Sequence, residues 1–488
     1  MEDSSVGAAR PISHLQLIFI LVIAAYFMDI IDASIVTVAL PSIRVEFAAS
    51  VADSQWIYGA YAISLAGLLL LMGRAGDVYG QKKIFIAGLI VFTVASFAGG
   101  LAPSLLSLVA SRLVQGVGAA MTTVTAFAIF IGLFPEGPQR NKAFGYITAV
   151  LSGGFAAGAV TGGVLTTFLG WRWVMFVNVP IGIVTALLCQ RYLPGGKGWL
   201  KNQHLDFPGA LTVTGGTILL VYGLTNAAGL GLTSLWTVAP LSLSVALLAG
   251  FLAIESRSKA PLMPLSFIRR GSVLTANAIA LVLTSVIGGI GFIIPVYFQN
   301  VLGYSALYSG LLTLPPALVF FIAGGWGASR LVNRLGAKRT ILISSVLVSI
   351  GTALLTFMSP NGNALLLMPG LMTWALGASI GFPAVNIAAV AGTQRGEEGL
   401  AAGVVNTSFR VGFPVGLAVL LTVAGAFDPP PAGSATASAV AAGLVAGFQV
   451  AMVAAALLGV AAFVLALRLK DAKPQWGDPG KQNDAVAF

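Results

Sequence analysis

The sequence predicts an all-α integral membrane protein with fourteen transmembrane helices. Three observations carry that prediction. Of the 488 residues, 57% are hydrophobic and only 9% are charged, against roughly a quarter charged in an average soluble domain. Apolar runs of about 20 residues, the length a helix needs to span a bilayer, recur along the whole chain. Lys and Arg gather in alternate breaks between those runs, as they do in loops held on the cytoplasmic side.

In order, the runs fall near 15–40, 54–73, 84–102, 105–133, 143–168, 171–191, 207–226, 235–254, 273–299, 306–328, 339–358, 364–391, 400–426 and 439–469. The first is not a cleaved leader: it is long, carries two acids, lacks an A-x-A exit, and is followed by thirteen more. With the N-terminal tail inside, Arg74, Lys82 and Lys83 follow the second run, and Arg140 and Lys142 the fourth. Arg191, Lys197 and Lys201 follow the sixth; Arg257, Lys259, Arg269 and Arg270 the eighth. Arg330, Arg334, Lys338 and Arg339 follow the tenth, and Arg395 the twelfth. Among 26 basic residues only Arg44 and Arg172, near outer ends, and Arg112 and Arg410, inside runs, depart from this alternation. A miscounted span would scramble it, so both termini are expected in the cytoplasm.

Composition also excludes several classes. The net charge of +10 is scattered between apolar runs, so it reads as a topology signal and not as a nucleic-acid surface. A single cysteine, Cys189, leaves no disulfide framework and no CxxC metal site. The 59 glycines suit close approach of transmembrane helices. The tail 471–488 reads as disordered, and the segment "FDPPPAGSATAS" from 427 as a stiff turn with a flexible end.

The first run raises the chemical question. In "AYFMDIIDASIVTVALP", Asp29 and Asp32 stand three residues apart and so lie on nearly one helix face. Two carboxylates this close in a poorly solvated cavity cannot both ionise cheaply, and the pair is expected to carry a proton. Arg112 and Arg410 are also charged residues inside spans, and intramembrane charge is functional by default. For Arg410 a structural ion pair is as good a reading as a direct role.

The chain also repeats itself. "GRAGDVYGQKK" (73–83) after the second run and "SRLVNRLGAKR" (329–339) after the tenth share a polar residue, a glycine and a lysine at matching places: Asp77, Gly80, Lys82 and Asn333, Gly336, Lys338. Two related halves enclosing a midplane site are a common plan of secondary transporters.

The first loop resembles the signature loop of the major facilitator superfamily. "LVASRLVQGVGAA" (108–120) resembles its fourth-helix motif, with Arg112, Gln115 and Gly116, and "GGFAAGAVTGGVL" (153–165) its antiporter-linked fifth-helix motif. "DASIVTVALP", "WRWVMFVNVPIG", "PVYFQNVLGYSALYSGLLTLPPA" and "NTSFRVGFPVG" resemble the fourteen-helix drug/proton antiporter branch. The sequence departs from the pattern at Gln81, where Arg is usual, and at Ala159, where Pro is usual; the latter bears on antiport more than on transport.

The resemblance implies the major facilitator fold: an N-terminal tail 1–14, a six-helix bundle over 15–191, two linker helices over 205–256, a second six-helix bundle over 272–469, and a tail 470–488. It implies no enzyme but a transporter of the inner or plasma membrane, exporting lipophilic drugs or antibiotics in exchange for protons. Export of a lipid or endogenous metabolite is the alternative. It places Asp32 at the branch's first-helix acid; Asp29, which has no counterpart in that motif, would be coupled to it, with Arg112 biasing both. Gly73, Asp77, Gly80 and Lys82 would form the cytoplasmic gate. Gly154, Gly158, Gly162 and Gly163 would seal the path by packing, as plain helix contact would also require. Tyr26, Trp56, Tyr61, Tyr297 and Trp374 are candidate cavity aromatics, suited to lipophilic cations, although packing explains each of them individually.

No nucleotide-binding loop is present, so ATP-driven pumping is not expected; the resemblance implies the proton as coupling ion, with no cofactor, metal, nucleotide or nucleic-acid partner, and the bilayer and a small lipophilic substrate as partners. "GASIG" around Ser379 matches a hydrolase nucleophile pattern but lies in an apolar span. His14 and His204, the only histidines, are expected at the cytoplasmic ends of spans, so a hydrolase is a weak alternative. An uncoupled, receptor-like protein is another.

Overall fold

The computed structural model describes residues 14–49, 51–134, 138–195, 206–231, 233–258, 261–270, 273–304, 306–391, 393–394, 397–425 and 437–469. The expectations for the two tails, the segment from 427, and Lys197, Lys201, His204, Lys259 and Arg395 lie outside these residues.

Helices α1 (His14–Glu46), α2 (Val51–Tyr79), α3 (Gln81–Gly100), α4 (Leu105–Leu133), α5 (Pro138–Phe168), α6 (Arg172–Phe176) and α7 (Asn178–Tyr192) form a first bundle. The pair α8 (Phe207–Leu230) and α9 (Leu235–Glu255) follows. After the short α10 (Leu265–Ile268), a second bundle holds α11 (Val273–Val296), α12 (Ala306–Ile322), α13 (Ala328–Leu354), α14 (Ala364–Ala389), α15 (Glu398–Gly425) and α16 (Ala437–Leu467).

Among the described residues, twelve helical stretches are long and apolar enough to cross a membrane, and one of them, Tyr308–Phe357, contains both α12 and α13. Helix α5 is not among the twelve, although its 31 residues have the length to cross a bilayer. Large apolar side chains in mid-helix face outward, with Val160 69%, Leu187 67% and Leu211 65% exposed. That surface fits hydrocarbon, where helices satisfy their own backbone bonds.

The two bundles repeat one packing scheme. The first pairs α1 with α5, α2 with α4, α3 with α4 and α7, and α1 with α7; the second pairs α11 with α15, α12 with α14, α13 with α14 and α16, and α11 with α16. The bundles meet along α2 with α15 and along α5 with α12 and α13. Helix α8 lies against both α2 and α15, so the extra pair flanks the seam between the bundles.

Both repeated motifs turn at their glycine. Gly80 (φ 102°) and Gly336 (φ 83°) adopt left-handed backbone, which a residue with Cβ resists. The helices run further into the motifs than hydropathy suggests: α2 continues to Tyr79 and α13 spans 329–339, broken only at Gly336. Once a helix has left the bilayer nothing compels it to stop, and here the glycine ends it.

Small residues set the spacing within each bundle. On α5, a methyl group at Gly154 would meet Phe27 and Ile30, at Gly158 Ser34 and the Ile31 carbonyl, and at Gly162 Ile35. These three glycines therefore pack α5 on α1, while Gly163 faces open space and takes no part. The second half has its own version, which the sequence reading missed: Gly412 and Gly416 of α15 lie against Leu281, Thr284 and Ser285 of α11.

Candidate functional site

Helix α1 crosses the centre of the first bundle with Asp29 and Asp32 both buried. Their surroundings differ. Arg112 Nη1 of α4 stands 2.5 Å from Asp32 Oδ2. Gln115 Nε2 and Asn178 Nδ2 donate to Asp32 Oδ1 at 2.9 and 2.7 Å, and both approach Ser96 Oγ, at 3.3 and 3.2 Å. Ser96 in turn donates to the Met175 carbonyl, and Arg112 Nε to that of Ile57. Asp32, Ser96, Arg112, Gln115 and Asn178 are all fully buried. The carboxylate thus ties α1 to α4 and α7, and Ser96 of α3 joins the network through Gln115 and Asn178.

Asp29 points to the other bundle. Arg410 Nη2 of α15 donates to Asp29 Oδ2 at 2.8 Å, while Tyr61 donates to Asp29 Oδ1 and Thr123 Oγ1 to Oδ2 at 3.4 Å. One turn away, Tyr26 donates to Asn406 Oδ1 at 3.0 Å, again across the bundles. Asp29 and Asp32 have no hydrogen-bonding partner in common. Each has its own guanidinium. Tyr61 connects the two pairs, since its hydroxyl reaches Asp29 and its ring lies 4.3 Å from the Arg112 guanidinium, within cation–π range.

Several contacts bridge the bundles at the end of the molecule that carries the basic motifs. Asp77 of α2 accepts hydrogen bonds from the backbone N–H of Gly399 and Leu400 at 2.8 and 2.9 Å. It thereby caps the N-terminus of α15, where free N–H groups and the helix dipole favour an anion. Gln81, in the place of the usual Arg, still donates to Asp77 at 2.8 Å. Gly73 lies against the Gly399 carbonyl with no room for a Cβ. Around the same end, Asn141 donates to Asn333 at 2.6 Å, Arg140 to the Val390 carbonyl at 3.2 Å, and Arg270 pairs with Glu397 through two bonds of 2.7 and 2.9 Å. Lys82 behaves differently: it donates to the carbonyls of Gln190 and Leu193 at the end of α7, a contact inside one bundle. At the opposite end, Glu46 pairs with Arg172 at 2.5 Å and accepts from Trp171 Nε1 at 2.7 Å. Those two bonds hold the Glu46 carboxyl below its ordinary range.

The aromatic candidates divide. Tyr26 and Tyr61 stand at the centre, but Trp56 stacks on Tyr222 of α8, Tyr297 donates to the Ser359 carbonyl inside the second bundle, and Trp374 packs on Gly351 of α13. Ser379 is fully buried and donates to the Leu376 carbonyl of its own helix, which is no nucleophile's setting. Asn178 and Ser96 were missed from sequence, although a polar side chain within an apolar span was the available signal.

The sequence profile of the Major Facilitator Superfamily matches residues 22–417. The chain belongs to this superfamily. Among its relatives, the cephamycin export protein CmcT of Amycolatopsis lactamdurans is 35% identical over 427 residues, covering 86% of this chain and 87% of that one. The puromycin resistance protein pur8 of Streptomyces alboniger is 34% identical over 469 residues, covering 94% and 92%. The tetracenomycin C resistance and export protein of Streptomyces glaucescens is 31% identical, covering 80% and 73%. Among solved structures, the human organic anion transporter MFSD10 superposes with a TM-score of 0.69 at 15% identity, covering 93% of this chain and 99% of that one. The proton:xylose symporter XylE gives 0.67 at 13%, covering 94% and 97%. Both share the fold alone. This superfamily member is a multi-pass membrane transporter and not an enzyme, and its relatives are of the drug-efflux type.

Proposed function

We propose that this transporter exports lipophilic drugs or antibiotics in exchange for protons by alternating access, with Asp32 as the protonation site. The carrying observation is the fully buried Asp32–Arg112 pair inside one bundle. A proton on Asp32 removes half of that pair, and Arg112, which also donates to Gln115 at 2.7 Å, must find other acceptors. Helix α1 is then free to shift against α3, α4 and α7. Because α1 also carries Tyr26 and Asp29, that shift reaches the second bundle within one helical turn. Export by CmcT, and resistance conferred by pur8, support the direction and the substrate class.

The fourteen-span reading takes the two halves of 308–357 as separate spans and counts α5 as another. With the basic end in the cytoplasm, the cross-bundle contacts of Asp77, Asn141 and Arg140 close the inner side, so the substrate path faces outward. The charge pairing also revises the substrate expectation. Each acid is matched by a guanidinium, and selection of cations by net negative charge loses its basis.

Efflux of a cationic rhodamine ethyl ester from proteoliposomes under an imposed pH gradient tests this reading. Gradient-dependent transport is expected in the wild type and lost in Asp32→Asn. Undiminished gradient-driven transport in that variant would overturn the assignment. Asp29→Asn, run alongside, decides whether the second acid shares the proton.

A further inference from the structure

The face that α15 turns to the first bundle ends in a charge that is only partly used. Gly399 meets Asp77, Gly403 meets the backbone of Leu69 and Leu70, Asn406 meets Tyr26 and Arg410 meets Asp29. The steps of four, three and four residues put these on one side of the helix. Gly399, Gly403 and Asn406 are buried. Arg410 is not: its side chain is 33% exposed, while that of its partner Asp29 is 2% exposed. Arg410 reaches from α15 of the second bundle to Asp29 of the first, so its exposed part lies at the junction of the bundles.

The bonding of Arg410 is correspondingly incomplete. Nη2 donates to Asp29, but Nε and Nη1 donate to no protein group among the described residues. A guanidinium presents five N–H donors in a planar fork that matches a carboxylate through two parallel bonds, and it stays charged in any conformation the transporter adopts. Holding such a group at membrane depth with most of its donors unspent is costly if its only role is structural. Arg112 contrasts with it in exposure: its Nη2 also has no hydrogen-bond partner, but it is enclosed by Asp32, Gln115, Ile57 and the Tyr61 ring with no surface open, and no ligand reaches it.

We propose that Arg410 is the anchor for a carboxylate carried by a lipophilic substrate, which displaces or shares the place of Asp29. The class of ligand is a hydrophobic body with one carboxylate, neutral overall or anionic. Its acid group pairs with Arg410 while Tyr26 and Tyr61 border its apolar part. Displaced from Arg410, the Asp29 carboxylate keeps the Tyr61 and Thr123 hydroxyls as donors. Substrate binding would thereby undo one cross-bundle tie, and only ligands with an acid group would do so. This inference rests on the transport reading above for the word substrate, but not for the binding.

Binding and transport are therefore measured separately. The probes are a zwitterionic rhodamine with a free benzoate and its ethyl ester, which differ at the carboxylate. Binding to the full-length protein in nanodiscs is followed by fluorescence anisotropy at one pH. The wild type is expected to prefer the acid by about tenfold or more, the scale of a charge-assisted hydrogen bond. Arg410→Gln removes the preference, Arg410→Lys keeps part of it, and Asp29→Asn strengthens acid binding because the competing carboxylate is gone. A merely structural Arg410 would not produce that last gain. Equal affinity for the two probes in the wild type, or a preference that survives Arg410→Gln, overturns the proposal. If neither the acid nor the ester is moved by a pH gradient, the proton-exchange reading fails, while the acid-to-ester binding ratio still decides the role of Arg410.

Discussion

Arg112 with Asp32 and Arg410 with Asp29 are the same two chemical groups at similar separation, yet one pair lies wholly within a bundle and the other joins two. The first pair has no exposure on either side and several further hydrogen-bonding partners, whereas Arg410 is one-third exposed and gives a single bond. Burial decides what each can do. In a sealed interior the loss of one partner leaves a charge with nowhere to go, so the pair behaves as a switch set by a proton. At a partly exposed junction the arginine can exchange one acceptor for another, so the pair behaves as a latch. Positions three apart on a helix differ by about 60° around its axis, and that offset sends Asp32 into its own bundle and Asp29 out of it.

Breaking the pairs one at a time gives the largest contrast. Arg112→Ala is expected to destabilise the purified protein by about 3–5 kcal/mol, the range for stranding a buried charge. Arg410→Ala should lose less, because Arg410 is itself partly solvated and the buried Asp29 left behind keeps the Tyr61 and Thr123 hydroxyls. Thermal unfolding in detergent measures both, and equal losses would erase the distinction drawn here.

The seal at the basic end sharpens the comparison next. Asp77→Asn weakens two charge-assisted bonds to the α15 N-terminus, each worth roughly 1.5–3 kcal/mol, and Gly73→Val forces a side chain against the Gly399 carbonyl. Both should widen the distance between spin labels placed on Lys142 and Arg330, at the expected cytoplasmic ends of α5 and α13. An unchanged distance distribution would mean that these contacts do not hold that end closed.

Tyr61→Phe is a finer cut. It keeps the ring beside Arg112 and removes the hydroxyl from Asp29, for about 1 kcal/mol. Gradient-driven transport should fall less than in Asp29→Asn; a larger fall would give the hydroxyl a role beyond this bond.

The smallest effect belongs to the exposed pair at the opposite end. Glu46 has a lowered folded-state pKa because of Arg172 and Trp171. Its contribution is present above the unfolded carboxylate value and fades as pH falls through the folded one. Glu46→Gln should therefore lower stability slightly at pH 7, by well under about 1 kcal/mol at so exposed a site, with the difference shrinking as the solution is acidified through the folded value. A gap that grows on acidification would contradict the sign.

Much of the architecture was legible because lipid leaves a chain few options: every crossing needs a long apolar run, and loops keep their positive charge on one side. The repeated motif predicted the repeated bundle, since Gly80 and Gly336 mark the same turn in each half. Arg112 and Asp32 stood out as charges in apolar runs. The choice of partners was not legible. Asp29 and Arg410 are separated by 381 positions, and nothing local says which arginine belongs to which acid. Ser96 and Asn178 carry no charge to draw the eye, and Trp56, Tyr297 and Trp374 were candidates by residue type, which says nothing about the direction a ring faces.

The central claim is that Asp32 couples transport to protons without being needed to move substrate. Proteoliposomes holding Asp32→Asn can be compared in two modes: uphill efflux of the rhodamine ester under a pH gradient, and its counterflow against preloaded ester with no gradient. The account predicts that the first is lost and the second persists at a rate near that of the wild type. Loss of both modes together, or survival of both, would contradict it.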